Sequence, residues 1–431
     1  LTISKSLAEK YNIGPEEFSQ VATFSSEEEV KNYIELELGN ADSLIYIMKN
    51  NIYHPYQWQV RHYEPENVNE VWFYFTPSGD TYGFSETISD DLEGPALDSL
   101  SAITIATRRA ETEWGIDFSK YSFITAGSQT QNKTGRVDHT FTYKKLNVAP
   151  FDTEYKLRLS LKGDRLTEVK QFIDIPESFI NKYKELRSGN DDIAQISSFG
   201  ILFYVIGAII GLFFLNRERF IIWRSAIYFS MFIAFLWLLF FINMLPLSWL
   251  GYDTTMPTSF FLGGTFLFMI GTCIAAIFVY TFSFASAESI ARKAFPEHVQ
   301  LWKIWTKDAA SSFEVLGRTI GGYLLIGFNL SFVMIFYFIA NKYFGWWTPA
   351  SSLFEPNIIA TPFPWIVPIT MALHAAFWEE CLFRAIPLAG AAIIGKKYGL
   401  RKEFIFFGLI LQALIFAGAH ANYPSIPAYS R

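Results

Sequence analysis

Residues 194–215 run for 22 positions without a charged side chain. At about 1.5 Å of rise per residue, that is enough helix to cross a hydrocarbon layer of about 30 Å. Five more apolar runs follow, at 220–245, 260–285, 320–340, 363–395 and 404–421. Runs this long lack the alternation of barrel strands, so the fold class they predict is a multi-pass α-helical membrane bundle. Residues 1–192 differ: charged side chains are dense there and sparse afterwards. The chain therefore has two solvents. Its 43 Phe fit a lipid-facing surface better than a soluble core. A formal charge of −6 is too mild to direct it to nucleic acid.

Orientation follows from the lysines and arginines of the connecting segments. The turn at 216–219 holds Arg217 and Arg219, the loop at 286–319 holds Arg292, Lys293, Lys303, Lys307 and Arg318, and 396–402 holds Lys396, Lys397, Arg401 and Lys402. These alternate with 246–259, which has neither residue, and 341–362, which has only Lys342. The basic segments are expected in the cytoplasm and residues 1–192 on the opposite side, as an extracytoplasmic domain on a bacterial inner membrane. The chain starts at Leu1 without a signal-peptide pattern and stops at Arg431 just after an apolar run. It reads as a piece of a longer protein, with a targeting or anchor segment before it and further helices after. Cys273 and Cys381 both lie in apolar runs, so no disulfide framework or paired-cysteine metal site is expected.

The hydrophilic part repeats itself. LAEKYNIGPEEFSQVATF (7–24) parallels RAETEWGIDFSKYSFITA (109–126), each a short helix, a break and a strand. VWFYFTPSGDTYGFSETI (71–88) parallels YKLRLSLKGDRLTEVKQFI (155–173), two alternating strands joined across Ser78-Gly79-Asp80 or Lys162-Gly163-Asp164. The reading is an α+β domain of two αβ repeats, each with its own small antiparallel sheet. It resembles a tandem PepSY-like module. His54, His62 and His139 have no partner at metal-ligand spacing and are expected to be structural. Asn132-Lys133-Thr134 matches a glycosylation sequon that many chains carry by chance. A sensing, inhibitory or substrate-presenting role all remain open for this domain, as does its partner.

An ionisable group inside a bilayer costs several kcal/mol and needs a reason. MALHAAFWEECLFRAIP (371–387) places Glu379, Glu380 and Arg384 within the fifth run. Glu380 and Arg384 are one turn apart, so the arginine can neutralise that carboxylate. Glu379 points about 100° away and needs another partner. LIFAGAHANYP (414–424) offers His420. From Glu379 to Lys396 is 17 residues and from Lys402 to His420 is 18. On antiparallel neighbouring helices that is about 25 and 27 Å, the same depth. Gly418, between Ala417 and Ala419, would thin the last helix for close approach. A carboxylate beside an imidazole, shielded from lipid, is suited to activating water: the acid takes a proton, the histidine holds the water or the oxyanion, and the arginine fixes the electrostatics.

Glu379-Glu380-x-x-x-Arg384, followed one span later by Phe416-x-x-x-His420, resembles the first two motifs of the CPBP family, the CAAX prenyl endopeptidases and bacteriocin-processing or immunity proteins. The likeness covers 320–431. The resemblance implies that Glu379 activates water with His420 while Glu380 and Arg384 support the site. It also implies a third motif, a histidine four residues before Asn or Asp, on a helix after Arg431. The organisation is then an outer domain at 1–192, three membrane helices and a cytoplasmic loop at 193–319, and the first part of the protease domain at 320–431. The substrate would be a peptide or membrane protein within the lipid bilayer. No cofactor is expected. Zinc is compatible with the residue types, although Arg384 beside the carboxylates would repel a divalent ion. The alternative is a non-catalytic immunity, signalling or scaffold protein. A transporter is less well supported, because no inverted repeat or pair of broken helices is evident.

Elsewhere, His374 is expected to bond to a neighbouring backbone or to line a pore. Glu288–Arg292 and Glu314–Arg318 are expected to be surface pairs, and Asn329 and Ser331 to bond between helices.

Overall fold

The computed structural model describes residues 1–431 except 40, 147, 149–153, 298–299, 301–302, 350–354, 424 and 428–431. The chain divides into two compact units. The first comprises Leu1–Ile180, Ile242–Leu267 and Leu353–Pro364, and the second holds the rest.

In the first unit, helix α1 (Thr2–Tyr11) leads into strands β1 (Ser19–Ser26), β2 (Tyr56–Tyr63), β3 (Glu70–Phe75) and β4 (Thr81–Thr87). Two helices, α2 (Glu28–Glu37) and α3 (Ala41–Lys49), interrupt the run between β1 and β2. The second half follows the same plan: α4 (Ser99–Trp114), then β5 (Tyr121–Thr130), β6 (Val137–Lys145), β7 (Tyr155–Lys162) and β8 (Arg165–Ile173). Asp98 starts α4 by accepting from the backbone N–H groups of Leu100 and Ser101, and Gly115 ends it at φ 66°.

The expectation of two small sheets needs correction. All eight strands form one antiparallel sheet, ordered β1-β2-β3-β4-β8-β7-β6-β5. β4 and β8 are the last strands of their respective halves, and pairing them removes two exposed edges at once. Burial alternates strictly along β7, and its inward residues Leu157, Leu159 and Leu161 pack with Phe73, Phe84, Phe141 and Val169. Ala102, Ala106 and Ala110 form one buried stripe of α4, small enough to bring that helix close to the sheet.

The first unit also fixes a membrane-side loop. Arg61 on β2 is buried and ion-paired with Glu70. Its Nη1 donates to the carbonyls of Trp249 at 2.9 Å and Tyr252 at 2.8 Å. Its guanidinium lies 4.9 Å from the Tyr63 ring, beside a cluster of Val21, Tyr63, Leu247 and Tyr252.

Among the described residues, six helices are long and apolar enough to cross a membrane. They are α5 (Glu177–Arg217), α6 (Trp223–Ser248), α7 (Thr258–Ala294), α9 (Phe313–Phe344), a composite of α10 (Ile366–Glu379), a π turn (Glu380–Ala385) and α11 (Ile386–Lys397), and α12 (Arg401–Ala419). A single turn, α8 (Lys307–Ala310), precedes α9. The change of composition near residue 193 falls inside α5, which starts at Glu177 and runs unbroken. Along α9 only Ala340 is buried. Its outward Leu, Ile and Phe side chains suit a hydrocarbon solvent.

In the second unit, Tyr204, Ile233, Phe284, Leu382, Phe383 and Ile386 share a core. Gly418 does serve close packing, but against α5 rather than the helix carrying the glutamates: a Cβ there would lie 1.9 Å from Ser197 Oγ. Gly200 on α5 reciprocates against Ile415 of α12.

Candidate active site

The site begins with a backbone irregularity. Proline at 387 has no N–H and its ring crowds the carbonyl four residues earlier. Just before it the helix widens into the π turn Glu380–Ala385, where the Ile386 N–H bonds to Cys381 O, five residues back. Single π turns inside α-helices are frequent at functional sites. This one carries Glu380 and Arg384, which form the ion pair expected from their spacing, with side chains 60% and 44% exposed.

Arg384 also lies over the Phe416 ring of α12, 5.4 Å from its centroid. The same ring is 4.6 Å from the ring of His420. Arginine and histidine therefore flank one phenyl group. His420 Nδ1 is 2.8 Å from Phe416 O. A carbonyl can only accept, so Nδ1 carries a proton, and in the neutral ring Nε2 then presents a lone pair. Glu379 is half-buried, and among the described residues it has no hydrogen-bond or ion-pair partner.

A cavity of about 670 Å³ opens against the π turn. Phe229, Phe284, Phe377 and Leu388 give it an apolar wall, and its charged lining is Glu288, Arg292, Glu380 and Arg384. Glu379 and His420 are not part of that lining. Sequence reasoning missed the contribution of α7. Glu288 and Arg292, expected as an ordinary surface pair, form a second half-buried Glu–Arg pair on the same cavity. Arg292 also donates to Phe220 O, with that ring 3.9 Å away. The available signal was the repeated i,i+4 spacing among small residues: Ser286, Ala287, Ser289 and Ala291 leave room beside the charges.

The other candidates resolve simply. His374 Nδ1 is hydrogen-bonded to the Tyr280 hydroxyl, and its ring stands edge-on to Trp237 at 5.1 Å. Glu314–Arg318 is an exposed pair. Ser331 bonds to Gly327 O of its own helix instead of a neighbour, and Asn329 is exposed. His62 bonds to Ser4 and Gln20, and His139 to Ser128 and Leu97 O, both as structural histidines. Among the described residues no three His, Cys, Asp or Glu side chains gather into a metal-binding group. The donor set among the described residues does not fit zinc.

Compared with known proteins, the chain matches no family model, no curated protein and no solved structure.

Proposed function

We propose that residues 320–431 of this chain carry the first two motifs of a CPBP-type intramembrane endopeptidase, with residues 1–192 on the extracytoplasmic side of a bacterial inner membrane. The observation that carries the reading is that the Glu380–Arg384 pair and His420 both meet the Phe416 ring, beside an apolar cavity. Glu379, the last residue of α10 before the π turn, is the base, without an ion-pair partner among the described residues. It takes a proton from water as the water oxygen adds to the scissile carbonyl, and returns it to the amine nitrogen as the C–N bond breaks. His420 Nε2 accepts the water's other hydrogen bond. With its proton held on Nδ1, the neutral imidazole cannot also donate to the oxyanion, so that role passes to Arg384. The apolar cavity, lined by Glu380 and Arg384 but not by Glu379 or His420, takes a part of the substrate flanking the scissile bond, and its two Glu–Arg pairs leave it without net charge.

The test is to incubate the full chain, in nanodiscs with a membrane-protein extract, in H₂¹⁸O. New peptide C-termini should carry ¹⁸O with the wild type and lose it with Glu379→Gln. Equal labelling by the variant would sink the proposal.

A scaffold reading draws support from a different observation: both carboxylates that line the cavity are already ion-paired. On that reading no labelling appears with any variant, and Glu380→Gln lowers stability.

A further inference from the structure

The sheet is weakest where its halves meet. β4 and β8 pair only at Phe84↔Val169 and Ser85↔Glu168. The next residue, Gly83, approaches so closely that a Cβ there would stand 2.2 Å from Val169 O. Beyond it the seam opens into a cavity of about 90 Å³. Unlike the membrane cavity, this one is lined almost wholly by polar side chains, among them Glu27, Gln59, Tyr74, Tyr82, Lys170 and Gln171.

The two charges in this lining are opposite but not joined. Glu27, at the start of α2, accepts from the Tyr53 hydroxyl and from Gln57 Nε2 at 3.2 Å. Burial pushes its carboxyl up. The Tyr53 bond, the charge of Lys170 and the Gln57 bond push it back down, so the ammonium is within electrostatic reach. Yet among the described residues Lys170 makes no hydrogen bond or ion pair, and its nitrogen lies 6.0 Å from the Tyr74 ring. The Tyr74 hydroxyl and the amides of Gln59 and Gln171 are likewise without protein partners among the described residues. None of these polar atoms is sealed from solvent, so water can serve them until a guest of matching charge and polarity displaces it.

We propose that the seam cavity binds a small zwitterion of the α-amino-acid class, with its ammonium on Glu27 and its carboxylate on Lys170. The charge pair sets the polarity of the guest. The volume, comparable to the liquid share of about three waters, limits it to the size of glycine or alanine. Both repeats contribute, Glu27 from the first and Lys170 from the second, so the site exists only because the halves join.

The experiment is isothermal titration of the full chain in nanodiscs with alanine, then with acetate and with methylammonium. Saturable binding of alanine at millimolar concentration or below is expected, with no binding of either half-molecule. Glu27→Gln and Lys170→Met should each weaken it at least tenfold while far-UV circular dichroism stays unchanged. Glycine should behave as alanine does, and leucine should not bind. Absence of glycine and alanine binding by the folded wild type, equal binding of acetate, or unchanged affinity in both folded variants would overturn the proposal.

Discussion

A methyl group placed on Gly200 would stand 2.6 Å from Ile415 Cδ1, 2.7 Å from Cγ1 and 3.1 Å from Cγ2. Cγ1 and Cγ2 hang from the same carbon, so turning χ1 cannot clear both. A methyl on Gly418 meets Ser197 Oγ at the shorter distance of 1.9 Å, but that oxygen is a single terminal atom. Once it swings away, the remaining contacts are Ser197 Cβ at 3.2 Å and Ile193 Cγ2 at 3.3 Å. The shorter clash is therefore the easier one to relieve. Overpacking of this kind costs about 1–3 kcal/mol, with Gly200→Ala expected near the top of that range and Gly418→Ala near the bottom. Ile415→Ala alone should cost about 2 kcal/mol, since the side chain is only partly buried. In the double variant those three Ile415 atoms are gone, so the two costs should fall short of their sum by about 1–2 kcal/mol. Equilibrium unfolding of the full chain in mixed micelles, followed by tryptophan fluorescence, measures all four species. Strict additivity, or greater damage from Gly418→Ala than from Gly200→Ala, would refute the packing argument for α5 and α12.

His62 gives a pH-dependent test. Burial lowers its pKa to about 4, so the unfolded chain binds the extra proton between about pH 6.5 and 4. Its contribution should be complete above pH 6.5, fall by up to about 3 kcal/mol as pH drops toward 4, and then level off. Chemical unfolding at several pH values, with His62→Gln as reference, isolates that slope, and identical pH profiles would count against it. Arg61→Ala strands Glu70 and the carbonyls of Trp249, Leu250 and Tyr252, and should cost about 3–5 kcal/mol in thermal unfolding. Arg61→Lys should recover little, because one ammonium cannot span the carboxylate and the carbonyls together. Full recovery by lysine would show that charge alone is what matters there.

What the sequence made legible was local. Alternation flanking Ser78-Gly79-Asp80 and Lys162-Gly163-Asp164 marked hairpins that form as β3–β4 and β7–β8. Long apolar runs marked the long helices, and the four-residue spacing marked the Glu380–Arg384 pair. What was not legible depended on distant partners. Two paired positions at the β4–β8 seam decide whether there are two sheets or one, and no periodicity encodes them. The spacing of Glu380 and Arg384 did not reveal that the helix widens into a π turn across them, just before Pro387. Gly418 signalled close approach without naming α5 as the neighbour. Glu288–Arg292 looked like any surface pair until α7 was placed beside the π turn.

The proposed hydrolysis requires the acid at 379 and the imidazole at 420 to open onto one water-filled space. In a chain with Cys273 and Cys381 changed to Ala, Glu379→Cys and His420→Cys should each react with a charged, membrane-impermeant thiol reagent. Together they should be joined by a short bifunctional one, while Leu411→Cys, exposed on α12, should not link to position 379. Two thiols that label only with lipid-soluble reagents, or that never cross-link in the folded protein, would contradict it.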